Sequence, residues 1–355
     1  MIKIGFSIVL CTYNGGDRLI PTLTHIAALD IPIGHSVELI IVDNASTDDT
    51  TEISKKVWED LGSPFDLLVL TESRSGKGYA AETGYDAAKC SYILTVDDDN
   101  WLNSDYLVQA ISIFDQDQNI GVLQGYSIGE FEVSPPAWID SYKNYFIIGS
   151  PILKNGYFPE NSFYVWGAGM VIKNSDWKFL RNIGFFFMTS KKPGKAAGED
   201  NELALALLIM GKKIYYSDKL KYIHFMPAAR INWNKLKDNF EIFGYVSHYF
   251  FLYALVIKSY KDKEKITKLS LWGKAFRSAP TLSRFTWKQH AYYWVKPLME
   301  WYQLELTRVY SRYKWSLKLL SKAENEISLI ESWLIPLLDS CPNNFEWPSD
   351  IFNSK

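Results

Sequence analysis

Tyr92-Ile93-Leu94-Thr95-Val96-Asp97-Asp98-Asp99-Asn100 is the stretch on which the fold turns. An apolar run with the length and β-branched content of a buried strand ends in three carboxylates. In an open α/β sheet, ligands bind beyond the carboxyl ends of the strands, where side chains converge. Two aspartates one residue apart can both reach a hard divalent ion, which takes oxygen ligands and commonly shares them with a diphosphate. Asp97-x-Asp99 therefore reads as a metal and nucleotide-diphosphate site, set against the blander alternative of a charged turn on the solvated surface.

Working outward, three strand-helix units precede this stretch. Phe6-Ser7-Ile8-Val9-Leu10-Cys11 reads as a buried strand, and Asp17 is placed to cap a helix running to about Leu29. Val37-Glu38-Leu39-Ile40-Ile41-Val42 is a second strand, followed by the turn Asp43-Asn44-Ala45-Ser46 and a helix from about Asp49 to Asp60. Asp66 to Thr71 is a third, before the loop Ser75-Gly76-Lys77-Gly78 and a helix through Ala88. Such alternation implies a parallel sheet with helices on both faces, a nucleotide-binding architecture.

The chain has 355 residues, 47% of them hydrophobic, enough for one large domain and a second piece. Its net charge of -2 names no partner, but residues 255–320 hold 14 Lys and Arg against 4 Asp and Glu, which marks a separate basic region. Cys11, Cys90 and Cys341 are odd in number and lack CxxC spacing, which argues for a reducing compartment and against a zinc cluster. Met1 to Phe6 leads directly into the first strand and does not read as a signal segment. The apolar stretch Phe240 to Ile257 contains Glu241, Ser247 and His248 and makes a poor membrane span. The expected location is the cytoplasm.

Five motifs now stand in order: Ser7-Ile8-Val9-Leu10-Cys11-Thr12-Tyr13-Asn14, Val42-Asp43-Asn44-Ala45-Ser46-Thr47-Asp48, Gly76-Lys77-Gly78-Tyr79-Ala80, Val96-Asp97-Asp98-Asp99-Asn100 and Gly198-Glu199-Asp200-Asn201-Glu202-Leu203. Together they resemble the family 2 glycosyltransferases, over roughly residues 6 to 225. The resemblance implies an α/β fold of the GT-A (nucleotide-diphospho-sugar transferase) type, Rossmann-like, with a C-terminal helical region outside the likeness. Domain bounds of 1–232 for the catalytic part and 233–355 for the helical part are expected.

The resemblance also implies roles. Thr12, Tyr13 and Asp43 would hold the nucleobase, and a carboxylate accepting the uracil imide N-H would favour a UDP-sugar donor. Asp43 equally suits a turn or helix cap, and Tyr13 a half-buried aromatic. Lys77 would approach phosphate, with Arg74 as its rival; Ser75-Gly76-Lys77 lacks Walker spacing, and either cation also suits a solvated surface. Asp99 would hold the metal, Mn²⁺ or Mg²⁺, with Asp97 or Asp98 near the ribose and metal shell. The ion would bridge the phosphates and stabilise charge as the glycosidic C-O bond breaks.

Asp200 is the implied base on the acceptor side, with Glu199 as second choice. A carboxylate at a helix N-terminus is also favoured simply by the macrodipole. Trp166-Gly167-Ala168-Gly169-Met170, after the strand-like Phe163-Tyr164-Val165, would line the sugar and acceptor pocket, the indole stacking on a ring and the glycines letting backbone approach a ligand. A bulged strand with a core tryptophan explains the same residues. His224, ending the strand-like run from Leu220 to Ile223, would join the metal shell, and imidazole suits Mn²⁺ better than Mg²⁺. It equally suits a structural hydrogen-bonder. His25, His35, His248 and His290 show no ligand spacing.

Eight of the 13 tryptophans lie from Trp233 onward, mixed with Lys, Arg and Tyr as in Ala291 to Lys296 and Trp301 to Lys318. Residues 300–310 carry apolar positions at helical spacing. Amphipathic helices of this composition suit the surface of an anionic membrane, here the inner face of the plasma membrane. They also suit packing on the catalytic domain, or a homodimer interface. The cations are too diluted by large apolar residues for nucleic-acid binding.

The leading expectation is a metal-dependent inverting glycosyltransferase acting on a glycan or lipid-linked glycan of bacterial surface type. An NAD-dependent oxidoreductase would need GxGxxG where the chain has Thr12-Tyr13-Asn14-Gly15-Gly16. A nonenzymatic sugar-nucleotide sensor or membrane-surface scaffold on the same fold is the alternative.

Overall fold

The computed structural model describes residues 3–159, 162–191, 197–267, 300–319 and 322–341. They form two compact units, one running to Ala229 and rejoined at Ser340, the other Arg230–Asp339. In chain order the first holds β1 Lys3–Thr12, α1 Leu19–Ala27, β2 Ser36–Asp43, α2 Thr50–Asp60, β3 Asp66–Thr71, α3 Lys77–Ala87, β4 Cys90–Asp97, β5 Asn100–Leu102, α4 Tyr106–Phe114 and β6 Ile120–Phe131. There follow α5 Ile139–Tyr142, β7 Gly156–Tyr157, β8 Val171–Lys173, α6 Asn174–Asn182, α7 Glu199–Ile209 and β9 Lys213–Met226.

The sheet runs β3-β2-β1-β4-β8-β6-β9-β5, with β7 on β9. Its first four strands are parallel. Phe6, Ile8, Val9 and Leu10 are all fully buried although they alternate between faces, as expected of a strand covered on both sides. Register sets the functional edge: Thr12 lies beside Asp43, and Cys11 beside Asp97. β8 then runs antiparallel to β4 and ends the doubly wound half.

Three expectations are corrected. Asp17 does not cap α1: Gly16–Arg18 forms a 3-10 turn in which Arg18 N donates to Gly15 O at 2.8 Å, so Asp17 sits inside the turn, and no side chain caps α1. Phe163 to Val165 is not a strand, because its continuation is held by side chains, as described below. His224 does not end a strand but lies within β9, opposite Asn100 of β5.

The second unit holds α8 Trp233–Asp262, α9 Glu300–Leu319 and α10 Ala323–Ser340. Asn232 Oδ1 caps α8 by accepting from Lys235 N at 2.9 Å. α9 crosses α8 closely at Gly244, where an added Cβ would meet Arg308 O at 2.5 Å. Tyr245 packs edge-on against Trp315 with ring centroids 4.9 Å apart, and Tyr253 against Trp333 at 5.7 Å. Among the described residues, these aromatic side chains pack helix on helix within this unit. α8 is long and apolar enough to cross a membrane by length and composition, and 72% of that window is buried. Ala291 to Lys296 lies outside the described residues.

Candidate active site

The loops after β1, β2 and β3 are laced together by polar groups. Asn44 N donates to Thr12 O at 2.8 Å, and Glu72 N to Asp43 O at 2.8 Å. The Asn44 side chain donates to Arg74 O at 2.7 Å and Glu72 O at 3.3 Å, and accepts from Gly76 N at 2.8 Å. Asn14 adopts a left-handed conformation, φ 47°, and its Oδ1 accepts from Thr47 N at 2.8 Å. Asp43 accepts from Ser46 N at 3.0 Å and Thr51 Oγ1 at 2.8 Å. It therefore holds the turn, and any base contact must use its remaining lone pairs. Tyr13 is exposed beside it.

The three aspartates diverge. Asp97 Oδ1 lies 2.7 Å from Lys77 Nζ, which also approaches Glu199 Oε1 at 3.4 Å. Burial alone would lower the lysine's proton affinity, but the charges of Asp97 and Glu199 outweigh it and hold the pKa well above the ordinary value. Asp98 Oδ2 accepts from Thr12 Oγ1 at 2.7 Å and Arg18 Nη2 at 2.9 Å. Burial pushes its pKa up, against the pull of Arg18. Asp99 Oδ1 faces His224 Nε2 at 3.5 Å. Asn100 spans the turn, accepting from Asp97 N and donating to Asp99 Oδ1, each at 3.1 Å.

His224 is 3% exposed, and its Nδ1 lies 3.3 Å from Ile147 O. A carbonyl only accepts, so Nδ1 is the donor to Ile147 O, and this fixes the ring with Nε2 toward the Asp99 carboxylate. Among the described residues no group of three or more His, Cys, Asp or Glu gathers as a complete metal cage. Asp99 and His224 are the pair whose oxygen and nitrogen would suit a divalent ion here.

Arg74 is not at this rim: its guanidinium is paired twice with Glu72, at 2.9 and 2.8 Å, and lies over Tyr79. The Arg74 hydrogen bonds hold the Glu72 carboxyl down to about 2. Of the two cations weighed for the phosphate role, Lys77 is the one beside the aspartates.

At the start of α7, Gly198 takes φ 103° and three acids follow. Glu202 accepts from Met188 N, Thr189 N and Thr189 Oγ1, and Glu199 from Ser190 Oγ. Both fasten the loop before the helix. Asp200 instead accepts from Gly167 N at 2.8 Å through Oδ2 and from Asn201 N at 2.8 Å through Oδ1. Burial first, and then the like charge of Glu199, push its pKa up to about 7. A Cβ on Gly167 would stand 3.6 Å from Asp200 Oδ2 and 3.8 Å from Lys77 Nζ, so the two charged groups converge there.

Gly167 and Gly169 differ in purpose. Gly169 is in the left-handed region, φ 68°, and its Cβ would meet Tyr106 Oη at 2.6 Å. It is required by core packing, which corrects its reading as a ligand-facing residue. Trp166 is half-buried, and both its backbone groups bond to Gln124. Cys11 lies by the same cluster, and burial pushes its thiol up to about 12.

Arg18, Asn44, Asn100 and Gln124 were missed by sequence reasoning. Asn44 and Asn100 stand directly beside motif aspartates, and a polar residue at a strand's exit was the available signal. Arg18 and Gln124 find partners 80 and 42 residues away, and nothing local marks them.

The sequence model described as Glycosyl transferase family 2 matches residues 7–180. A poly-beta-1,6-N-acetyl-D-glucosamine synthase of Staphylococcus aureus (strain MSSA476) is 30% identical over 121 residues, 34% of this chain and 28% of that relative's length. The crystal structure of S. aureus TarS 1-349 in complex with UDP-GlcNAc matches with TM-score 0.53 and 15% identity, over 95% of this chain and 91% of that one. The mannosyltransferase PcManGT from Pyrobaculum calidifontis, in complex with GDP-Man and Mn²⁺, matches with TM-score 0.52 and 16% identity, over 94% and 87%. At such identities the structural likeness speaks for the fold. Residues 7–180 thus match the glycosyl transferase family 2 model, on a fold of the GT-A type.

Proposed function

We propose that this chain transfers a sugar from a UDP-sugar to a hydroxyl of a glycan or lipid-linked glycan, inverting the anomeric carbon. The observation that carries the reading is the half-buried Asp200 carboxylate, 2.8 Å from Gly167 N and with its pKa raised to about 7. A carboxyl tuned to neutrality is ionised enough to accept a proton and basic enough to keep it. Asp200 takes the acceptor's proton as that oxygen attacks the anomeric carbon opposite the diphosphate. The C-O bond to the nucleoside diphosphate breaks, the diphosphate leaves, and one displacement inverts the centre.

Lys77 supplies fixed positive charge at the rim, beside Asp97. Thr12, Tyr13 and Asp43, at the ends of β1 and β2, line the base side, and Asp98 the ribose side. Trp166 offers its ring to the sugar. Asp99 and His224 would hold a divalent ion, Mn²⁺ or Mg²⁺, which supplies charge neutralisation at the departing diphosphate. The UDP-GlcNAc and GDP-Man held by the two matching structures support a donor of this class. The relative's name, a polysaccharide synthase, supports a glycan acceptor.

UDP release from a panel of UDP-sugars and GDP-sugars, with Mn²⁺, Mg²⁺ or EDTA, tests the reading in wild type and Asp200→Asn. Wild type is expected to turn over a UDP-sugar with metal, and the variant to lose at least about 100-fold in rate while binding UDP normally. Undiminished turnover in the variant overturns the base assignment. Nucleotide binding with no turnover of any donor by wild type favours a nonenzymatic sugar-nucleotide-binding protein.

A further inference from the structure

Val165 to Gly167 continues the stretch read as strand, and three side chains hold its backbone in place of a ladder. Asn201 accepts from Val165 N at 3.2 Å and donates to Val165 O at 3.4 Å. Gln124, on β6 and 1% exposed, accepts from Trp166 N at 2.8 Å and donates to Trp166 O at 2.7 Å. Asp200 accepts from Gly167 N at 2.8 Å. Gln124 thus fixes both faces of one residue's backbone, and the peptide it holds carries the N-H that meets the carboxylate.

We propose that Gln124 is a positioning residue for Asp200: by fixing the Trp166-Gly167 peptide it aims the Gly167 N-H at the carboxylate and favours its ionised form. The inference rests on the reading of Asp200 as the base. A hydrogen bond to the charged form of an acid lowers its proton affinity. Lys77, from α3, acts in the same sense, and so do the two Asn201 donors, at 2.8 and 2.5 Å. Glu199 and burial act in the opposite sense. Loss of the Gly167 bond therefore leaves Asp200 more readily protonated.

The test is the pH profile of kcat in Gln124→Met, which keeps the side-chain length but removes both polar contacts. The acid limb is expected to move toward alkaline pH by about one unit, a tenfold loss of rate on that limb, with UDP affinity unchanged. An acid limb in the wild-type place overturns the proposal, even if thermal stability falls, because a merely structural role lowers stability without moving the limb. Where Gln124→Met fails to bind UDP, Gln124→Glu carries the test. It keeps an acceptor for Trp166 N and loses the donor to Trp166 O, and the same displacement in a smaller amount is expected. A wild-type limb in a UDP-binding Gln124→Glu overturns the proposal. Asp200→Asn, run alongside, separates the two readings: turnover there defeats the base assignment, whereas an inactive Asp200→Asn with an unmoved limb in the Gln124 variant defeats this inference alone.

Discussion

Lys77 Nζ stands 2.7 Å from Asp97 Oδ1, so one of the two aspartates read as ion ligands holds a lysine. The same ammonium reaches Glu199 at 3.4 Å, joining the end of β4 to the start of α7. Lys77→Met strands two carboxylates, one of them well buried. Because the lysine is 26% exposed, the expected loss lies between the surface and buried cases, about 2 kcal/mol near neutral pH. The lysine's raised folded pKa places its contribution below pH 10 and removes it as pH rises through the folded value. Urea unfolding of wild type and variant at pH 7 and above pH 11 checks both statements.

The raised pKa of Asp200 gives a rate that climbs with pH. kcat/KM is expected to rise about tenfold per pH unit below neutrality and to level above about 7. Stability takes the opposite sign. A folded pKa above the unfolded value favours the fold at low pH and loses that contribution as pH rises through about 7. Asp200→Asn should therefore gain stability over wild type in going from pH 4 to pH 8, a comparison that thermal unfolding at the two values makes directly.

Asn44 carries three hydrogen bonds that bind the loop after β3 to the end of β2. Asn44→Ala leaves Gly76 N, a buried amide, without its partner, for an expected loss of about 3 kcal/mol. Since Lys77 follows Gly76, UDP affinity should fall as well. Calorimetric titration with UDP beside an unfolding curve measures both.

Gly167 and Gly169 predict opposite tolerance. Gly169→Ala meets a left-handed backbone and a hydroxyl 2.6 Å from the new Cβ, and should cost at least about 2 kcal/mol. At Gly167 the nearest atom is Asp200 Cβ at 3.5 Å, ordinary contact. Gly167→Ala should fold normally and alter kcat, because its methyl lies between Lys77 and Asp200. Thermal melting and initial rates distinguish the pair.

The parallel half of the fold was legible because each strand is a continuous apolar run buried on both faces, and Asp66 to Thr71 is bounded as expected. The place of Asp97 to Asp99 at the sheet's rim was legible because the apolar run of β4 stops there. Other features depend on distant partners. Gly169 is fixed by Tyr106 and Tyr222, and the Val165 to Gly167 segment by Gln124 and Asn201, so period-two alternation could only suggest a strand. Asp97 and Asp99 look alike in sequence, but lysine on α3 and histidine on β9 give them different neighbours. The role of the aromatic residues of α8, α9 and α10 was not legible, because helix packing and interfacial insertion call for the same amphipathic composition.

The most direct test is an anomalous-difference map from a crystal soaked with Mn²⁺ and UDP. The account predicts a peak about 2.0–2.6 Å from an Asp99 carboxylate oxygen, with His224 Nε2 beside it and the uracil at the ends of β1 and β2. An ion bound elsewhere, or UDP lodged away from the carboxyl ends of those strands, would contradict it.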